Sequence, residues 1–165
     1  MAETEAAGVR VRPATAADAP ALGRLGALLV AVHHDYDPER FLAPDTATAE
    51  GYGRFLAGQL RRPEVVMLVA EAGGQVLGYS YAAIEGTDYM TLRGPAGALH
   101  DLLVDPAHRG RGVGRRLLEA SIAALEARGA PRIVLSTAER NVGAQKLFAE
   151  AGFRRTMVEM TRELP

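Results

Sequence analysis

Arg109-Gly110-Arg111-Gly112-Val113-Gly114-Arg115 is the stretch on which the fold turns. It follows the apolar run Leu102-Leu103-Val104 and precedes an amphipathic stretch from Leu117 to Leu125. A strand-to-helix turn of this kind aims backbone N–H groups into open space at the positive end of the helix dipole. Glycines clear side chains out of the way, so a phosphate or pyrophosphate is favoured there. The stretch predicts a grip on a phosphorylated cofactor.

Spacing narrows the choice. A P-loop needs Lys and then Ser or Thr after its last glycine, and here Gly114 is followed by Arg115-Arg116. The dinucleotide fingerprint G-x-G-x-x-G, counted from Gly110 and Gly112, meets Arg115 in its last place. What remains is Arg109-x-x-Gly112-x-Gly114 behind a strand that ends at Val104-Asp105-Pro106. Farther along stands Asn141-x-x-Ala144-x-x-Leu147-Phe148-x-x-x-Gly152-Phe153. In these two motifs, from Ala98 to about Phe153, the chain resembles the GNAT superfamily of N-acetyltransferases. Upstream of Ala98 the likeness lies in element order alone.

The rest of the chain frames that reading. At 165 residues, 48% apolar and 24% charged, it has the length and composition of one globular domain with a substantial core. A net charge of −1 offers no electrostatic case for binding nucleic acid. Without cysteine there is no disulfide framework, thiolate metal site or thiol nucleophile, and no metal is expected. Met1 to Gly8 lacks an apolar stretch and reads as a disordered start rather than a secretory signal. No run is long enough for a membrane span, so the cytoplasm is the expected location.

Periodicity predicts a strand at Val9 to Arg12, then a helix through Leu22, Leu25, Leu29 and Val32 that ends near His33-His34. A second helix is expected from about Thr46 to Arg61. Val65 to Glu71 and Val76 to Glu85 read as strands joined at Gly73-Gly74, and Gly86 to Gly97 reads as a flap. Ala98 to Val104 is a strand, about Gly112 to Arg128 a helix, and Ile133 to Leu135 a buried strand. Asn141 caps a last helix that Gly152 stops, and Thr156 to Thr161 is expected as a final strand. The expected fold is therefore α/β in the α+β sense: one domain over 9–165, a mixed, mostly antiparallel sheet of about six strands, helices on both faces, and order βααβββαβαβ. GNAT domains share this order but usually end in two strands. Either the final hairpin is reduced here or a second subunit supplies an edge, which leaves a homodimer open.

The resemblance implies direct transfer of an acetyl group from acetyl-CoA to a primary amine of a small molecule or peptide, in a ternary complex. It assigns the pantetheine arm and thioester carbonyl to backbone amides at Leu102, Leu103 and Val104, and the pyrophosphate to those of Arg109, Gly110, Arg111, Gly112, Val113, Gly114 and Arg115. Asn141 is implied as a partner of the pantetheine amide, beside its role as a cap, and Phe148 as packing near the sulfur.

Freeing the lone pair of an alkylamine of pKa ~10.4 at neutral pH costs roughly 4–5 kcal/mol, whereas releasing a thiolate of pKa ~8.5 costs about 2 kcal/mol. A base matters more than an acid. His100 stands where relatives often carry a carboxylate base, and Glu85 is the next candidate. Each has an ordinary alternative, as a packing histidine and a solvated strand end. Asp101 is expected to face away from His100 if pairing is regular.

Many relatives have tyrosine, the usual acid, where this chain has Phe148, so no acid is assigned; Tyr36, Tyr89 or water remain as substitutes. The same departure keeps open a non-catalytic acyl-CoA sensor, and a transferase of longer acyl chains is a further alternative. The first two helices and the flap implicate His33, Tyr36, Tyr79, Tyr81 and Tyr89 in acceptor binding, with His34 and Asp35 nearby.

Overall fold

The structure, a computed structural model, describes residues 8–165; the expectation of a disordered start over Met1 to Gly8 lies, apart from Gly8 itself, outside the described residues. Among the described residues, five strands form one sheet in sequential order. They are β1 (Arg10–Pro13), β2 (Val65–Ala72), β3 (Gln75–Glu85), β4 (Ala96–Val104) and β5 (Ile133–Leu135). The first four run antiparallel, and β5 pairs parallel to β4. Helices α1 (Ala19–Tyr36) and α2 (Thr48–Gln59) cover one face, and α3 (Val113–Ala127) and α4 (Val142–Glu150) cover the other. No described helix is long and apolar enough to cross a membrane.

Strand β2 shows why the sheet is layered on both sides. Val65, Met67 and Val69 enter the core beneath α1 and α2 with Leu22, Leu25 and Leu56. Val66, Leu68 and Ala70 enter the core beneath α3 and α4 with Leu117, Leu118, Leu125 and Phe148. Because successive side chains point to opposite faces, a strand buried on both reads as an unbroken apolar run.

Strand β1 is tied to the start of α1 by charge. Arg12 forks onto Asp18, with Nη1 and Nη2 donating to its two oxygens at 2.8 and 2.9 Å, and its Nε donates to Glu71 at 2.6 Å. Asp18 also accepts from the Thr15 amide at 2.8 Å. The hydrogen bond from Arg12 outweighs the opposing effect of burial and lowers the Asp18 carboxyl to about 2. A depressed folded-state pKa contributes stability that is complete above the unfolded value near 4 and is lost as pH falls through about 2. Asp18→Asn is therefore expected to destabilise the protein by about 1–2 kcal/mol at pH 7 in urea melts. The difference should narrow between pH 4 and pH 2.

The expected sixth strand at Thr156 to Thr161 is absent, so the order is βααβββαβα. A strand needs a neighbour for its backbone groups, and β5 pairs along only three residues, all of them with β4. The terminal segment is held by side chains instead: Arg155 donates to Gln145 at 3.2 Å, and Glu159 forms an ion pair with Arg40. Met157, Val158 and Met160 remain exposed.

Candidate active site

A cavity of about 1210 Å³ opens beside β4, where the sheet splays. Strand β5 pairs with Gly97, Ala98 and Leu99 and goes no farther, so the outer edge of β4 is free from there to Val104. The Asp105 amide donates to Leu77 of β3 at 2.8 Å. Antiparallel alternation then commits the Leu103 amide to β3 and turns those of Leu102 and Val104 toward the open edge. Of the three amides expected to serve the cofactor, Leu103 is the one the ladder has taken.

The glycine stretch closes one end of this cavity. Gly110 and Gly112 adopt φ of +75° and +77°, and a Cβ built on either would meet nothing within 4 Å. Gly112 is the N-cap of α3, with no side chain capping the helix, and the first helical bond runs from the Arg116 amide to the Gly112 carbonyl at 3.1 Å. The amides of Val113, Gly114 and Arg115 therefore precede any intrahelical partner, the condition that suits an anion. Arg109 donates its Nε to the Val104 carbonyl at 3.1 Å, which pins the loop to the strand.

Arg109, Gly110, Gly112, Val113, Gly114 and Arg115 all line the cavity; Arg111 is exposed and outside the lining. Asn141 joins them after capping α4 through an Oδ1 contact to the Ala144 amide at 3.1 Å. Phe148 lies in the same wall, edge-on to Phe153.

Across from the loop, β4 carries a bulge. Tyr81 pairs with Asp101 and Ala82 with Leu99, so His100 has no partner on β3. The extra residue breaks the alternation expected between His100 and Asp101, and both side chains come to the α1–α2 side of the sheet. There the His100 ring lies 5.0 Å from the Tyr81 ring, and its Nε2 is 3.0 Å from Glu85 Oε1. Glu85 also accepts from Arg93 at 2.6 Å. His100 lines the cavity, whereas Glu85 reaches it through His100.

Asp101 is buried, yet it also lines the cavity. Its Oδ2 accepts from the Tyr52 hydroxyl at 2.8 Å and from the Tyr79 hydroxyl at 2.9 Å. Burial raises the Asp101 carboxyl above the ordinary range despite both hydrogen bonds. It also holds both phenols well above theirs, so they stay donors. Tyr52 reaches this position because Gly26 of α1 has no side chain: a Cβ there would lie 2.2 Å from the Tyr52 ring.

The remaining acceptor candidates divide. His33 and Tyr36 line the cavity at the end of α1, with the His33 ring edge-on to Phe41 at 4.9 Å. Tyr79 is fully buried and meets the site only through Asp101. Tyr81 supports His100 and donates to Gln59 at 3.2 Å. Tyr89 is 83% exposed on the flap, away from the cavity. Sequence reasoning missed Asp101 and Tyr52 as site residues. The visible signal was a His-Asp pair inside an otherwise apolar strand.

A splayed sheet edge, a helix N-terminus without a side-chain cap and an imidazole share the walls of one cavity, an arrangement with the shape to receive an extended, anionic ligand. Residues 29–153 match the Acetyltransferase (GNAT) family, and the chain belongs to it. The mycothiol acetyltransferase of Thermobispora bispora is 34% identical over 96 residues, covering 56% of this chain and 31% of that protein. The chain thus spans about a third of the length of that relative. The N-acetyltransferase YhfO of Bacillus subtilis, itself uncharacterised, is 26% identical over 88% of this chain and 89% of its own.

Among solved structures, a variant of the BH1408 protein of Bacillus halodurans superposes with a TM-score of 0.77 at 23% identity, covering 94% and 98% of the two chains. A predicted acetyltransferase of Clostridium acetobutylicum, solved with acetyl-CoA, superposes with a TM-score of 0.71 at 17% identity over 93% and 96%. Both likenesses are of fold.

Proposed function

We propose that the chain transfers an acetyl group from acetyl-CoA directly to a primary amine of a small molecule or peptide, both substrates being bound at once. One observation carries this reading: a single cavity joins the unpartnered amides at the start of α3 to His100. The first-turn amides and the open loop fit a pyrophosphate, and the outward amides of Leu102 and Val104, with Asn141, fit the amide-bearing arm that follows it. Acetyl-CoA supplies the activated acyl group.

The chain's own groups handle the proton. With Nε2–H directed at Glu85, His100 keeps the Nδ1 lone pair, and Glu85 is itself steadied by Arg93. His100 takes one proton from the acceptor ammonium. The freed nitrogen pair then forms the C–N bond as the C–S bond breaks and its electron pair leaves with sulfur. The second nitrogen proton ends on the thiolate, so the products are an amide, a thiol and one proton. Phe148 offers no acid, and the small demand of the thiolate makes none necessary. The open edge of β5 and the exposed Met157, Val158 and Met160 also favour pairing with a second copy of the chain.

The test is thiol release from acetyl-CoA across a panel of amines, read with a disulfide dye. Release that depends on an amine and yields the acetylated product is the expected result. Tight acetyl-CoA binding with no release under any amine would overturn transfer in favour of a sensor.

A further inference from the structure

The acceptor side of the cavity holds one carboxylate, Asp101, that makes no ion pair among the described residues, with the imidazoles of His100 and His33 the charged groups that act on it. The lining carboxylates are Asp101 and Glu150, and Glu150 forms an ion pair with Arg115. Both tyrosine hydroxyls converge on Oδ2 of Asp101, so Oδ1 receives no donor among the described residues. A carboxylate in this position is oriented by two fixed donors and left with one oxygen to offer.

The surfaces around it limit what it can take. Leu29, Val30, Val32, Phe41 and Leu42 form an apolar wall at the α1 end. The other charges lining the cavity are cationic: Arg40, Arg109, Arg115 and Lys146. Glu159 is engaged with Arg40, and Glu85 with Arg93 and His100. A second ammonium on the acceptor would meet hydrocarbon at the α1 end and cations toward the loop, and Glu150, the other lining carboxylate, is already held by Arg115, so a second charge costs binding.

We infer that the acceptor is an amine with a single positive charge on an apolar or aromatic body, and that Asp101 receives its ammonium. The inference rests on the transfer reading, because it concerns the second substrate of that site. It also assigns the bulge a purpose. By turning His100 and Asp101 to one face, the bulge sets the group that binds the ammonium next to the group that takes its proton. Burial works against the lone charge of this carboxylate, and an ammonium set against Oδ1 would offset that cost.

Calorimetric titration of amines into CoA-saturated protein tests this without requiring turnover. 2-Phenylethylamine is expected to bind at least about tenfold more tightly than spermidine and than its neutral isostere 2-phenylethanol. In Asp101→Asn the preference for ammonium over hydroxyl should fall to within about twofold, with CoA binding retained; a merely structural loss would weaken both ligands alike. Spermidine binding as tightly as the monoamine in the parent protein would overturn the inference, as would an unchanged ammonium preference in a folded Asp101→Asn. Should the asparagine variant fail to fold, the parent comparison decides alone. Absence of thiol release with every amine would sink the transfer reading and leave this binding comparison standing on its own result.

Discussion

Gly112→Val is expected to weaken CoA binding by about 10²-fold while lowering the melting temperature by only a few degrees. The reasons separate cleanly. A β-branched residue at φ +77° is strained by about 1–3 kcal/mol, yet its Cβ would meet no neighbour within 4 Å, so the folded protein can relax around it. What does not survive relaxation is the aim of the next three amides, since Gly112 is the N-cap from which α3 starts. Losing two or three charge-assisted hydrogen bonds to a diphosphate is enough for a 10²-fold effect. Calorimetry with CoA and a thermal melt on the same sample check both halves; unchanged affinity would remove the diphosphate from this loop.

His100→Ala is expected to lower kcat by ~10²–10³-fold at neutral pH, with acetyl-CoA affinity held within about twofold, because a positioned base contributes that much to proton removal. Glu85→Gln should cost less, about tenfold: it keeps a hydrogen-bond acceptor for Nε2 but loses the charge that supports an imidazolium. Steady-state kinetics with a saturating amine, compared with calorimetric affinity for acetyl-CoA, separate the two effects. Equal activity in parent and His100→Ala would move the proton to Asp101 or to water.

The elements that could be read from the sequence are those whose signals are local. The α3 turn was legible because glycine spacing and the following amphipathic run describe one continuous segment, and Asn141 was legible as a cap because its partner, Ala144, is three residues away. The strand expected at Thr156 to Thr161 had the same local pattern as a true strand and failed because strand formation depends on a distant neighbour. His100 was nominated from its place on β4, but its contact with Glu85 joins two strands and the bulge that sets it on the cavity side exists only in the pairing of β3 with β4.

From residue order alone follow the elements as far as α4, the two-faced sheet and the backbone geometry of the turn before α3, since each rests on side-chain periodicity or backbone freedom within a few residues. Which groups share the cavity was decided in three dimensions. Tyr52 from α2, Tyr79 from β3 and Asp101 from β4 are brought together by a gap at Gly26 and one unpaired residue in a ladder. Contacts of that kind depend on register and packing between segments far apart in the chain, and no pattern within a single segment encodes them.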